Sequence, residues 1–258
     1  RSLVGSEMCI RDSYNVQGPP GRGLLKAYEI TNDEAYLNSA ILLGDWMINT
    51  MYAPNTGLNL YSDGDPRFAT YDPLFLEELS QVTGNTSYAD FVQTWFWDKL
   101  ASGTYGETND MNASEFGHYI VDARNGQGIV ALSPWDIAGA AVGAYVAGET
   151  AIANDLMDSI LYGLNQTTAS DTDYDSIGLA GAVWASAITG VDLDPTTGAF
   201  ASCDSTADLA ALLADMRTDD TPKGWLWSSA ADPSDYSNGD AQTTAFAIMA
   251  LDAFDRNT

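Results

Sequence analysis

Four aspartates open apolar stretches of this chain: Tyr71-Asp72-Pro73, Trp135-Asp136, Tyr174-Asp175-Ser176 and Gly239-Asp240. An Asp at a helix start accepts hydrogen bonds from backbone N–H groups that have no partner within the helix, and it meets the positive end of the helix dipole. Pro73, directly after Asp72, is the favoured first residue of a helix. The ordinary role of these residues is capping. If the helix starts converge on one mouth, the same carboxylates can also work as an acid and base pair, with Tyr71, Trp135 and Tyr174 beside them as stacking surfaces. Capping favours the charged carboxylate and so suits a general base or nucleophile, whereas a proton donor needs an apolar or like-charged setting. Asp136, beside Trp135 and ahead of an apolar helix, is expected to be displaced upward. The catalytic candidates are therefore Asp136, Asp240, Asp72 and Asp175.

A second group of residues could contact a ligand. The chain has one histidine, His118, in the stretch EFGHYIVDARNGQG, read as a loop that brings Asp122 and Arg124 near it. Its ordinary role is that of an exposed loop residue; its functional role would be a base. Trp225 and Trp227, in KGWLWSS, could stack on sugar rings or pack their loop down, whereas Trp95 and Trp97 are read mostly as core. One His and one native-looking Cys, Cys203, cannot make an ordinary zinc site, and no HExxH, P-loop, dinucleotide fingerprint or Gly-x-Ser-x-Gly occurs. Asp171-Thr172-Asp173-Tyr174-Asp175 starts like a calcium loop but has Ser176 in place of the required Gly and Ala182 in place of the last Glu. No metal and no cofactor are expected.

The elements that must position these groups are helical hairpins. Thr31-Asn32-Asp33-x-x-Tyr36 aligns with Thr83-Gly84-Asn85-x-x-Tyr88, and Gly148-Glu149-Thr150-x-Ile152 follows loosely. Helices after these turns are amphipathic, as in Leu37, Ala40, Ile41, Gly44 and Met47, or Ile152, Leu156, Ile160 and Leu164. Helices before the turns are apolar nearly all round and rich in small residues: Ile137–Ala147 reads IAGAAVGAYVA and Ile177–Ile188 reads IGLAGAVWASAI. A helix without a polar face must be sheltered on every side. Alternation of the two kinds implies two concentric layers. The expected fold is all-α, an (α/α) toroid of repeated hairpins and an incomplete barrel, preferred over an open solenoid whose concave helices would carry a polar side. Turns from inner to outer helices take about three residues, except at Thr189–Ser205. The return connections, Tyr52–Tyr71, Ala101–Pro134, Gln166–Tyr174 and Thr218–Gly239, are long, which marks their end as the working face.

Among 258 residues, 36 acids against 10 bases give a net charge of −26, with an ordinary apolar content of 45%. Such a surface repels phosphate backbones and anionic lipid, so neither nucleic acid nor membrane is expected as a partner, and polyanionic sugars are disfavoured. No run approaches the ~20 apolar residues that span a bilayer. Ser2–Ser13, SLVGSEMCIRDS, resembles a translated sequencing adapter, so residues 1–13 are set aside as a non-native leader and residues 14–258 are read as one toroid domain. Asn85, Asn112 and Asn165 stand in weak glycosylation triplets. A secreted or periplasmic location is expected.

The Thr-Asn-Asp and Thr-Gly-Asn turns followed by x-x-Tyr resemble the hairpin turns of six-hairpin glycosidases and other α/α-toroid carbohydrate-active enzymes. The closing Asp240-Ala241-Gln242-Thr243-Thr244-Ala245 to Leu251 is similar to inner helices of the terpenoid cyclase and prenyltransferase-type toroid. This second family's chemistry does not carry over: Tyr174 interrupts its acidic motif, and no zinc triad exists. The resemblance implies an architecture rather than a reaction. The expected function is a glycoside hydrolase-like enzyme acting on neutral poly- or oligosaccharide through paired carboxylates, Tyr71, Trp135, Tyr174, Trp225, Trp227, His118 and Arg124 being the substrate-binding candidates. The alternatives are a non-catalytic extracellular binding module and a terpenoid cyclase-like enzyme.

Overall fold

The computed structural model describes residues 17–53, 64–69, 71–106, 111–122, 134–166, 176–217 and 241–257. These residues are helical apart from turns, short extended connections and an isolated antiparallel bridge between Tyr105 and Met111; no strand forms among them. The helices are α1 (Gly18–Thr31), α2 (Glu34–Trp46, continued by a wide turn Met47–Met51), α3 (Tyr71–Thr83) and α4 (Ser87–Val92). A second wide turn (Gln93–Trp97) leads into α5 (Asp98–Ser102). Then come α6 (Ala113–Asp122), α7 (Pro134–Ala147), α8 (Thr150–Gln166), α9 (Ser176–Thr189), α10 (Thr206–Asp215) and α11 (Ala241–Asn257). No described helix is long and apolar enough to cross a membrane.

The hairpin turns share one construction. α1 ends on Asn32 in the left-handed region (φ 53°), and α3, α7 and α9 are followed by Gly84 (φ 70°), Gly148 (φ 84°) and Gly190 (φ 75°). A left-handed residue at that position lets its N–H close the last helical turn, as Asn32 does to the Tyr28 carbonyl (2.8 Å) and Gly84 to that of Ser80 (2.8 Å). The threonines preceding three of them, Thr31, Thr83 and Thr189, each donate Oγ1–H to the carbonyl four residues back. Each then accepts, on Oγ1, the N–H two residues on, at Asp33, Asn85 and Val191. Asp33 and Asn85 go on to accept the N–H of Ala35 (2.9 Å) and Ser87 (3.1 Å). Thr189-Gly190 is thus a third copy of the turn, which the aligned sequence pattern misses because Val191 lacks the Asx oxygen.

The greasy helices are sheltered as their composition demands. In α9 every residue from Ser176 to Ser186 is buried, and in α7 the run Ile137–Ala144 is buried throughout. Tyr145, at the end of α7, is the departure, being 46% exposed. One further correction concerns the stretch between Ala101 and Pro134. It is not a continuous loop: α6 occupies Ala113–Asp122, and His118 lies on that helix. Gly117 of α6 lies so close to Ser159 of α8 that a Cβ there would overlap the serine side chain.

Contacts divide the chain into two compact units, Arg1–Asn112 with Val146–Glu149, and Ala113–Tyr145 with Thr150–Thr258. In the first, α1 packs on α2 and α3, and α3 on α4. In the second, α9 packs most extensively on α11, and α6 on α8.

Candidate functional site

Of the four helix-start aspartates, Asp72 is the one whose surroundings the structure describes. It is fully buried. Its Oδ1 accepts the N–H of Gly18 at 2.6 Å, and its Oδ2 accepts the phenol of Tyr52 at 2.5 Å. The Tyr52 oxygen in turn accepts the N–H of Ala69 (3.0 Å), and the N–H of Asp72 donates to the Ala69 carbonyl (2.9 Å). Gly18 is the first residue of α1, whose early N–H groups have no partner within their own helix. Asp72 therefore caps a neighbouring helix. This corrects the expectation that it caps α3.

The same observation corrects the expected electrostatics. Burial pushes the Asp72 carboxyl up to about 7, against the opposing effect of the donors from Tyr52 and Gly18. Capping should have lowered it, but a cap that is also dehydrated loses more from desolvation than two donors return. The Tyr52 phenol is pushed well above its ordinary value, first by burial and then by the charge of Asp72. It stays protonated and donating at any ordinary pH.

A second buried carboxylate, Glu77, sits further along α3. Its Oε1 accepts the indole N–H of Trp97 (2.9 Å), and its carboxyl is raised by burial, with Glu149 and Asp90 adding in the same direction. Gln93 donates to both Asp98 (2.8 Å) and Glu149 (3.0 Å). Trp97 is fully buried and so core as expected, whereas Trp95 is only half-buried and lies under Lys99, the partner of Asp65, at 5.6 Å. Trp97→Phe leaves Glu77 without its donor and should lower stability by about 1–3 kcal/mol. Adding Glu77→Gln to that variant should recover part of the loss in urea titrations, and no recovery would mean that the indole matters only as volume.

Tyr71 is 1% exposed, lying against the start of α1, and offers no open stacking surface. Asp136 and Trp135 lie in the first turn of α7, and His118 on α6, but their side chains lie outside the described residues. Tyr174, Asp175, Arg124, Trp225, Trp227 and Asp240 lie outside them altogether, Asp175 directly ahead of α9 and Asp240 directly ahead of α11. No group of His, Cys, Asp or Glu able to hold a metal occurs among the described residues.

The first unit carries an open groove of about 430 Å³ between α1 and α3, which the sequence did not disclose. Leu25, Val82 and Tyr28 line it together with two ion pairs. Arg22 holds Glu78 through two bonds of 2.7 and 3.0 Å, and Lys26 holds Glu29 at 2.8 Å. The groove is thus locally neutral on a chain of net charge −26.

No family model, no curated protein and no solved structure matches this chain.

Proposed function

We propose that this chain is a glycoside hydrolase-like enzyme of neutral poly- or oligosaccharides, its hairpins arranged as an α/α-toroid and its acid and base drawn from Asp136, Asp175 and Asp240. One observation carries the proposal: an aspartate stands within the first three residues of α7 and immediately ahead of α9 and α11. Three helices of one compact unit opening on the same side chain is the pattern a shared mouth of carboxylates needs. All three residues fall in the second unit, Ala113–Tyr145 with Thr150–Thr258. Asp72 is removed from the catalytic set, because a fully buried carboxyl bonded to Gly18 and Tyr52 has no face left for a substrate. A hydrolase needs two carboxylates, about 5–5.5 Å apart for retention or about 6.5–9.5 Å for inversion.

The test is a hydrolysis screen of the full chain on neutral glycans, with Asp136→Asn and Asp240→Asn alongside. The expected result is release of reducing ends by the parent protein and loss of most of that activity in at least one variant. A folded parent protein that cleaves none of the polymers sinks the enzymatic reading.

A second reading, a non-catalytic glycan-binding module, is favoured by two observations: the one described helix-start aspartate is spent on internal bonds, and the α1/α3 groove presents an apolar floor, a tyrosine and charges already neutralised in pairs. Retardation of the protein in a glycan-containing gel, abolished by Tyr28→Ala and accompanied by no hydrolysis, would select it.

A further inference from the structure

The second unit, Ala113–Tyr145 with Thr150–Thr258, holds 20 acidic residues against 4 basic ones, whereas the first holds 16 against 6. Four cations cannot neutralise twenty carboxylates, whichever way they pair. The helices of this unit show where the surplus lies. Asp155 and Asp158 stand one turn apart on the exposed side of α8, and among the described residues no cation is paired with either. On α11 Arg256 holds Asp252, which leaves the exposed Asp255 beside it without a paired cation. Asp204 and Asp208 are both exposed at the start of α10, where Asp208 accepts the Asp204 N–H (3.0 Å) and the Ser205 hydroxyl (3.0 Å). Like charges three or four residues apart on a helix repel.

The helix ends give no relief. The negative end of the helix dipole favours a cation in the last turn. Among the described helices only α5, with Lys99, and α11, with Arg256, carry one there. α10 ends instead on Asp215.

We propose that this fold is built for concentrated electrolyte: the cations of the medium, held as a diffuse atmosphere and at no single site, are part of what keeps the second unit folded. The proposal is independent of any chemistry at Asp136, Asp175 and Asp240. Uncompensated like charges on one compact body act against the folded state, because unfolding moves them apart. Salt shortens the reach of that repulsion, from about 10 Å at 0.1 M to about 3 Å at 1 M. The longer distance is about the width of a helix with its side chains, so carboxylates on adjacent helices still repel at 0.1 M. The shorter one is less than the roughly 5–6 Å between neighbours such as Asp155 and Asp158 on one helix face. The gain in stability therefore continues well beyond physiological ionic strength.

Urea unfolding of the full chain near neutral pH, in NaCl from about 0.05 to about 2 M, tests this. The folding equilibrium constant at one fixed urea concentration should rise at least about tenfold between 0.1 and 1 M. The triple variant Asp155→Asn, Asp158→Asn, Asp255→Asn changes exposed side chains alone. It should be more stable than its parent at the lowest salt, rise less steeply, and converge with it at the highest. A parent protein whose stability is flat or falls with salt overturns the proposal. So does a variant as steep as its parent, because the gain would then come from the action of salt on apolar surface and not from the screening of these carboxylates.

Discussion

Alanine at Gly18 or Gly21 is expected to lower stability by about 2–4 kcal/mol, while alanine at Gly23 of the same helix should raise it by about 0.5–1 kcal/mol. In isolation each substitution favours a helix, because glycine loses the most backbone freedom on folding. The surroundings reverse the sign at two of the three positions. A Cβ on Gly18 would overlap the Tyr71 carbonyl, which is backbone and cannot turn aside. Displacing α1 to relieve the overlap would stretch the bond from Gly18 to Asp72 and strand a buried carboxyl. A Cβ on Gly21 would meet the Phe75 ring at 2.6 Å, and Phe75 is fully buried with little room to rotate, so this loss should be the smaller of the two. Around Gly23 nothing lies within 4 Å, so only the entropic gain remains. Urea unfolding of the three variants gives the order, and a Gly18→Ala protein as stable as its parent would mean that α1 is not seated on α3 as described.

That α1 contact shows where sequence reasoning succeeded and where it stopped. The hairpins were legible because their turns are local: a threonine, a left-handed residue and an Asx oxygen act within five residues, so their spacing survives in sequence. Burial of Ile137–Ala144 and of Ile177–Ser186 was legible for a similar reason, since a helix without a polar face states its own requirement. The role of Asp72 was not. A helix-start aspartate looks the same whether it caps its own helix or, as here, the N-terminus of one 54 residues away. The partner is chosen by tertiary packing, and the closeness of that packing comes from Gly18 and Gly21, which give no periodic signal. The pKa expectation failed through the same gap: it assumed an exposed cap, whereas Asp72 is fully buried. Glu77 offered a faint cue as one of two adjacent acids in the apolar run LFLEEL, but only the fold shows that Glu77 goes inward to Trp97 and Glu78 outward to Arg22. His118 was misplaced because EFGHYIVDARNGQG was read whole as a loop, whereas its first part is helical and Gly117 is the contact point of α6 on α8.

Asp72→Ala is expected to remove about 3–5 kcal/mol at pH 5 and distinctly less at pH 8, and the convergence is the informative part. The loss at pH 5 arises because the Gly18 N–H and the Tyr52 O–H remain buried without their acceptor, at about 1–3 kcal/mol each. The pH dependence runs opposite to that of an ordinary stabilising carboxylate. A carboxyl depressed by a salt bridge stabilises above its unfolded pKa, and that contribution is lost on acidification. Asp72 is instead raised, to about 7 from 3.8. The unfolded chain therefore gives up the proton first, and the parent protein weakens as pH rises, by roughly 1.4 kcal/mol per unit between about 4 and 7. Alanine has no proton to lose, so the variant lacks this slope and its deficit shrinks as the parent approaches it. Glu77 is raised as well, but it is present in both proteins and cancels in the difference. Paired urea titrations at pH 5 and pH 8 measure the two deficits directly. Equal deficits would show that Asp72 does not titrate in this interval, and that its two donors outweigh the cost of burying its charge.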